Sequence, residues 1–165
     1  MAVRPDRAAE EEDAGGQSSG SSVPDRANPW ERWLERARGG TWRVAVAEES
    51  MAPALSPGDW LLLDPTALTW PRRGSVVVFR EPDGGPMAIK RVAARPGDRV
   101  RIPAGILHLG PDEAWLLGDK AAVSIDSRRY GPVTLDALVG RAWFRYGPAT
   151  RIGPIRRRTR VTPGR

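Results

Sequence analysis

The sequence predicts a mainly β fold: a coiled antiparallel β-sheet or partly open barrel, with one short N-terminal helix. Glycine (18 residues) and proline (16 residues) are frequent in this chain of 165 residues, which favours short strands and many turns over a helical bundle. Several short segments are continuously apolar or alternate apolar with polar residues, as strands do. Turn-forming Gly, Pro and Asp separate nearly all of them. The length allows one such domain with tails.

The first forty residues divide into a leader and a short helix. Residues 1–28 contain few large apolar residues and predict a disordered leader. Residues 29–40 follow a capping asparagine, begin with a proline and end in a glycine pair, which predicts a short amphipathic helix and turn. Such a helix is too short to be stable alone in water. We expect it to pack on the main domain or, through Trp30 and Trp33, to contact a membrane surface.

A β domain is predicted over residues 41–148, followed by a basic tail over residues 149–165. The predicted strands cover residues 42–48, 59–64, 75–80, 86–94, 99–102, 106–109, 114–117 and 138–146. Their short lengths and the turn residues between them indicate mostly antiparallel pairing. The tail is rich in proline and arginine, and we expect it to be solvated unless it contacts nucleic acid or lipid.

Composition excludes several kinds of functional site. The chain has no cysteine, which rules out disulfides, thiolate metal sites and cysteine nucleophiles. A metal site or a Ser-His-Asp triad would depend entirely on His108, the single histidine, so we expect neither a metal nor another cofactor.

Charge and hydropathy limit the partners and the location. The net charge of +6 and the pI near 10.8 suit acidic partners, but no strand interleaves aromatic with basic residues, so we expect no nucleic acid. No segment reaches the ~18–20 apolar residues of a membrane span, and no apolar signal core opens the chain. The expected location is cytoplasmic or peripheral at the membrane.

Two residues suggest a catalytic pair. Lysine is rare here, with two lysines against 24 arginines, and Lys90 lies within an apolar predicted strand. Ser50 follows a predicted strand and precedes a proline-containing turn, which would expose its hydroxyl. A buried lysine can lose its proton, whereas arginine cannot, and a neutral amine can act as general base for a serine hydroxyl. Burial would lower the pKa of Lys90.

Four segments in order resemble the type I signal peptidases, which are serine–lysine endopeptidases. The segments are Ser50-Met51-Ala52-Pro53-Ala54-Leu55 with Gly58-Asp59, Arg73-Gly74-Ser75-Val76-Val77-Val78-Phe79, Ile89-Lys90-Arg91-Val92 with Pro96-Gly97-Asp98, and Leu117-Gly118-Asp119-Lys120 with Ser124-Ile125-Asp126-Ser127-Arg128 and Gly131-Pro132-Val133. Together they cover roughly residues 44–145. The resemblance implies the β fold that signal peptidases share with LexA-like proteins, and a serine endopeptidase that removes N-terminal leader or signal segments.

The resemblance implies a role for each matching residue. Ser50 is the nucleophile and Lys90 is its general base. The hydroxyl of Ser124 hydrogen-bonds the lysine and orients it, and Asp126 and Arg128 form a salt bridge that braces the site. On a strand, their spacing of two would place this pair on one face. The backbone N–H of Ser50 would donate to the oxyanion.

The resemblance also implies a protein or peptide substrate with small residues one and three positions before the cut. An extended substrate would pair with strands and send alternate side chains into shallow pockets. We expect it between the strand that ends near Ser50 and the segment before Lys90. The expected lining residues are Met51, Pro53, Pro86, Met87 and Ala88, with Val44 and Val46 on the strand face of Ser50.

The chain departs from the family pattern at several positions. Ala54 stands where the family prefers threonine, Ser75 where it prefers aspartate, and Lys120 where it prefers asparagine. Glu48 stands where some members place a serine hydroxyl in the oxyanion hole, so its carboxylate must turn away or be paired. Only about twenty residues separate the third and fourth segments, so the large second β domain of many members is missing or reduced to a hairpin.

Three other functions stay open. A cytoplasmic maturation protease for a metalloenzyme precursor, like the small nickel-type superoxide dismutase maturation proteases, would need no membrane anchor. A LexA-like protein would use the same dyad to cleave itself, and its only candidate bond, Ala14-Gly15, lies in the leader. A non-enzymatic binding module with a degenerate site would fit Glu48 and Ala54.

Overall fold

A computed structural model describes residues 42–158. The leader, the predicted helix with Trp30 and Trp33, and the end of the basic tail lie outside the described residues. Within the described range, no helix is both long and apolar enough to cross a bilayer. The strands are β1 (Trp42–Ala45), β2 (Trp60–Asp64), β3 (Val76–Arg80), β4 (Met87–Ala94), β5 (Arg99–Ile102), β6 (Gly105–His108), β7 (Glu113–Leu117), β8 (Val133–Thr134), β9 (Leu138–Gly147) and β10 (Gly153–Pro154), and the helix α1 is Ser127–Tyr130.

Eight of these strands form one antiparallel sheet that is not closed into a barrel. Its order is β1-β2-β9-β3-β4-β7-β8, with β10 added beside β9. The remaining strands, β5 and β6, pair as a separate hairpin, so the region predicted to hold a missing or reduced domain holds two strands. The predicted mainly β, antiparallel fold is therefore confirmed, and each predicted strand is present with small shifts at its ends.

Strand β3 lies at the centre of the core because both of its faces are buried. Val76 and Val78 belong to one apolar cluster, while Val77 and Phe79 belong to another. The sequence of a strand that is buried on both faces is a continuous run of apolar residues, whereas a strand with one exposed face alternates apolar with polar residues. This position places β4, its neighbour, deep in the molecule along most of its length.

The segment after β9 returns across the sheet. Ile155 donates its N–H to the carbonyl of Trp143 at 2.9 Å, and Arg158 reaches Gly74, which has a φ of +84°. A Cβ at Gly74 would lie 2.2 Å from the carbonyl oxygen of Arg158. Glycine is therefore required there both by backbone conformation and by the close approach of this segment.

Candidate active site

Ser50 and Lys90 meet in the folded chain. The Lys90 Nζ atom lies 3.0 Å from Ser50 Oγ and donates a hydrogen bond to it. Ser50 lies in a 3-10 turn, Glu49–Met51, and the buried side chain of Met51 anchors this turn in the core. Lys90 is in β4, opposite Val77 of β3. Two residues forty positions apart are thus brought within the distance that a nucleophile and its base require.

Both members of the pair are buried, which corrects one sequence expectation. Ser50 is 6% exposed and Lys90 is 3% exposed, so the turn does not leave the serine hydroxyl on the surface. Burial lowers the pKa of Lys90 below the ordinary lysine value, while the carboxylates of Glu81, Glu48 and Asp126 oppose the shift. Desolvation penalises the charged ammonium, so Lys90 gives up its proton more readily than an exposed lysine does.

The second lysine has a different environment. Lys120 is on the surface, where its Nζ forms an ion pair with the carboxylate of Glu49. Its backbone N–H donates to the carbonyl oxygen of Ser50 at 3.0 Å. The Lys120 side chain is therefore paired outside the dyad, and Lys90 is the lysine that contacts the serine.

A buried carboxylate organises the loop beside the dyad. Asp126 accepts hydrogen bonds from Arg128 Nη2 at 2.6 Å, from Ser124 Oγ at 2.8 Å and from the N–H of Gly118 at 2.9 Å. Burial by itself would raise the pKa of Asp126, but these hydrogen bonds outweigh burial and lower it. The predicted salt bridge between Asp126 and Arg128 is present.

Two details of this network differ from the sequence expectations. Asp126 and Arg128 are not on a strand: Asp126 caps the N-terminus of α1 and accepts from the N–H of Arg128, as aspartate does at helix starts. The hydroxyl of Ser124 donates to Asp126 rather than orienting Lys90 directly. Ser124 is therefore held by the same carboxylate that binds Arg128.

Gly118 joins this network to the nucleophile. A Cβ at Gly118 would lie 2.1 Å from Ser124 Oγ and 2.7 Å from the carbonyl oxygen of Ser50. Both contacts are closer than real Cβ atoms allow, so the position has room only for hydrogen. The absence of a side chain lets the Ser124 loop and the Ser50 turn pack against the same backbone.

A second buried ion pair lies beside the dyad and was not predicted from the sequence. Arg91 binds Asp119 through two hydrogen bonds of 2.8 and 2.6 Å, with side chains 1% and 4% exposed. Arg91 Nη1 also donates to the carbonyl of Gly74 at 2.6 Å. The signal was available, since a charged residue within an apolar strand needs a partner. The two members of the pair are the sequence neighbours of Lys90 and Gly118.

A groove of about 890 Å³ opens at the dyad. Val44, Val46, Val78 and Ile89 supply apolar surface to its lining, along with Pro86, Met87, Ala88, Val123 and Ile125. Met87, Val123 and Ile125 are each more than half exposed. The groove is therefore lined mostly by apolar residues, with Glu48, Glu49 and Glu81 as its acidic members, and it is bordered by strands β1 and β4.

The groove contains most of the residues predicted to bind substrate. Met87 and Ala88 line it, and so does Met51, although Met51 is only 1% exposed. Pro53 is exposed and is not among the residues that line the groove. Val44 and Val46 line it as expected, but Ser50 lies in the 3-10 turn and shares no strand face with them.

Glu48 lines the same groove and is exposed. Its backbone is extended and its side chain makes no capping hydrogen bond. Within residues 42–158 its carboxylate forms no ion pair, yet its charge opposes the lowering of the pKa of Lys90. The carboxylate is thus close enough to act on the dyad electrostatically.

Comparison with known proteins identifies a matching family model and several relatives. A family model described as signal peptidase, peptidase S26, matches residues 41–109 and 106–147. A probable signal peptidase I-2 of Synechocystis sp. is 30% identical over 139 residues, covering 66% of this chain and 64% of that protein. A signal peptidase I of Leptolyngbya laminosa is 28% identical, covering 67% and 70% of the two chains. A mitochondrial inner membrane protease subunit 1 of Xenopus tropicalis is 33% identical, covering 68% and 73%.

The family match covers more than half of the chain and includes all four segments that resemble signal peptidases. The chain spans just under two thirds of the length of the Synechocystis relative. The resemblance predicted from the sequence is confirmed: this chain belongs to the signal peptidase family, peptidase S26, a family of serine endopeptidases.

Proposed function

We propose that this protein is a serine endopeptidase that removes N-terminal leader or signal segments, with Ser50 as nucleophile and Lys90 as general base. The observation that carries the proposal is the 3.0 Å separation of Lys90 Nζ and Ser50 Oγ in a buried site that opens on a groove of about 890 Å³. The membership in a family of serine endopeptidases supports the same reaction.

Catalysis begins with neutral Lys90. As the Ser50 oxygen attacks the scissile carbonyl, its proton passes to the Lys90 amine. The negative charge that develops on the carbonyl oxygen is stabilised by a hydrogen-bond donor. As the second residue of the 3-10 turn, Ser50 has a backbone N–H that the i to i+3 bonding of that turn leaves without a partner. This N–H is our candidate oxyanion donor.

The second half of the reaction uses the same groups. Protonated Lys90 donates to the departing amine, which leaves an ester on Ser50. Lys90 is then neutral again and can take a proton from an incoming water that attacks the ester. Lys90 returns this proton to the Ser50 oxygen as the ester bond breaks, which releases the cleaved leader as an acid and regenerates the serine. Asp126, Arg128 and Ser124 act as positioning residues: they hold the loop that packs on Gly118 and, through Gly118, the Ser50 turn.

We expect the pH dependence of kcat/KM to follow the protonation of Lys90. Activity should be low in acid, rise as Lys90 loses its proton and level off, with an apparent pKa below the ordinary lysine value of about 10.4. Glu81 is a carboxylate that holds the pKa of Lys90 up. Glu81→Gln should therefore shift the rising limb to lower pH, measured by hydrolysis of a short peptide.

Asp112→Asn is the matched control for that shift. Asp112 is an exposed carboxylate outside the groove, so the loss of its charge should not change the pH at which activity rises. A profile with no group titrating below the lysine range would contradict the assignment of Lys90 as the base.

We expect a preference for small residues at the first and third positions before the cut. Apolar residues of β1 and β4 line the groove that opens at Ser50. Overlap of a bulky substrate side chain with such a wall is costly, since one methylene alone changes discrimination by ~1–3 kcal/mol. A peptide with Ala-X-Ala before the scissile bond should be cut, while phenylalanine at either alanine position should reduce kcat/KM by about 100-fold or more. Mass spectrometry of the products gives both the rate and the bond.

The same peptides separate the alternatives. Equal cleavage of the alanine and phenylalanine peptides would contradict the specificity but leave a serine–lysine peptidase. A maturation protease for a metalloenzyme precursor would cut its own precursor and spare the Ala-X-Ala peptide, and an inactive binding module would cut neither. Contact with a membrane through Trp30 and Trp33 lies outside the described residues and stays a prediction.

A further inference from the structure

A second cleft carries a large excess of positive charge. It lies between the connection from β2 to β3, the end of β4 and the segment after β9, and it shares no lining residue with the groove at the dyad. We call it the basic cleft. Its polar lining includes Thr66, Arg72, Ser75, Arg95, Arg141 and Arg157. Among the described residues, the only carboxylate in this lining is Asp64, so four guanidinium groups face one described acid.

The carboxylate of Asp64 already has partners within the chain. Asp64 forms an ion pair with Arg141 at 3.5 Å, and its Oδ1 atom also accepts from the N–H and the hydroxyl of Thr66. Within residues 42–158, no salt bridge involves Arg72, Arg95 or Arg157. Like charges in one cleft repel each other. The carboxylate of Asp98 interacts electrostatically with Arg95, but no described salt bridge offsets the charge of Arg72 or Arg157.

Arg95 gives this charge a specific donor. Its Nε atom is buried and has no hydrogen-bond partner within the described residues. The carboxylate of Asp98 interacts electrostatically with Arg95 and accepts, through Oδ2, from Arg73 Nε at 2.8 Å and from the backbone N–H of Arg95 at 2.6 Å, but it does not bind this Nε atom. Buried donors are nearly always satisfied. An acceptor from outside the chain, either a water or an anion, would satisfy this donor once the Arg95 side chain turns it toward the cleft.

We propose that the basic cleft binds a phosphoryl group, carried by a soluble molecule or by a lipid headgroup. A guanidinium presents a planar fork of donors that matches phosphate oxygens. A phosphomonoester brings a charge of about −1.5 to −2 and three acceptor oxygens, which suits several arginines better than a single carboxylate would. Ser75, buried in the wall of the cleft, adds a hydroxyl. The proposal is independent of the dyad.

The first test titrates inorganic phosphate into the full-length protein at low salt and follows the heat of binding. We expect saturable binding at one site that weakens as salt is added. Arg95→Gln should lower the affinity about tenfold or more, since hydrogen bonds to charged groups contribute about 1.5–3 kcal/mol. Arg101→Gln removes the same charge from an exposed position on β5 outside the cleft and should change the affinity less than about twofold.

The second test separates the two sources of phosphate. The protein is sedimented with phosphatidylcholine vesicles that contain phosphatidic acid, and with vesicles of phosphatidylcholine alone. Binding to the phosphatidic acid vesicles that depends on Arg95 supports a lipid headgroup as the ligand. Binding of free phosphate that depends on Arg95, with no such binding to the vesicles, supports a soluble ligand. If Arg95→Gln weakens the binding of phosphate and of phosphatidic acid vesicles no more than Arg101→Gln does, the cleft is only a basic surface and the proposal is wrong.

Folding is checked in the same samples by circular dichroism and by peptide cleavage, which the basic cleft should not affect. If Arg95→Gln unfolds the protein, Arg72→Gln tests the same cleft from an exposed side chain. A folded Arg72→Gln variant that binds phosphate as tightly as Arg101→Gln would overturn the proposal.

Discussion

Lys90→Arg should abolish peptide cleavage as completely as Ser50→Ala. Arginine keeps the positive charge and the reach of lysine, but it does not give up its proton in a protein, so it cannot accept the proton of Ser50. In a serine peptidase, removal of either member of the nucleophile and base pair costs about 10⁶-fold in kcat. We expect a loss of at least about 10³-fold for each variant, measured as kcat/KM on the Ala-X-Ala peptide.

Lys120→Arg is the matched control, because it makes the same substitution at the other lysine. That side chain is exposed and paired with Glu49, and arginine can keep the ion pair, so cleavage should stay close to the wild-type rate. Circular dichroism would show that the Lys90→Arg chain is folded. Substantial activity in folded Lys90→Arg would mean that another group removes the serine proton.

Gly118→Ala should nearly abolish activity although it adds one methyl group. The new Cβ would lie 2.1 Å from Ser124 Oγ, and the Ser124 side chain could yield only by breaking its hydrogen bond to Asp126. The other contact, at 2.7 Å, is with the backbone carbonyl of Ser50 itself. A displacement of about 1 Å in a reacting group can cost 10²-fold, so we expect kcat/KM to fall by about 100-fold or more.

Stability measurements separate this effect from simple unfolding. Overpacking costs about 1–3 kcal/mol, so urea unfolding should show a reduced but measurable free energy of unfolding for Gly118→Ala. Gly110→Ala is the control, because a Cβ there meets its nearest neighbour at an ordinary 3.4 Å. A folded Gly118→Ala protein within tenfold of wild-type kcat/KM would show that the close packing does not position Ser50.

Most of the fold could be predicted because its signals are local. The continuous apolar run of β3 and the turn residues around the β5–β6 hairpin lie within a few positions of the elements they specify. The short strands β8 and β10, of two residues each, were missed because they are too short for a periodic pattern. Helix α1 is four residues long, which is too short to show a helical repeat of apolar residues. It depends on its N-terminal cap and on its packing against β7.

The candidate site shows the same division between local and long-range information. By itself the sequence determined the family, the strand that holds Lys90 and the turn that holds Ser50, because rare residue types in ordered motifs need no knowledge of spatial neighbours. Only the tertiary structure decided that Ser124 donates to Asp126, that Arg91 binds Asp119 across 28 positions of the chain, and that four arginines line one cleft. The physical reason is that a charge or hydroxyl binds the group nearest in space, and the order of strands in the sheet sets which group that is.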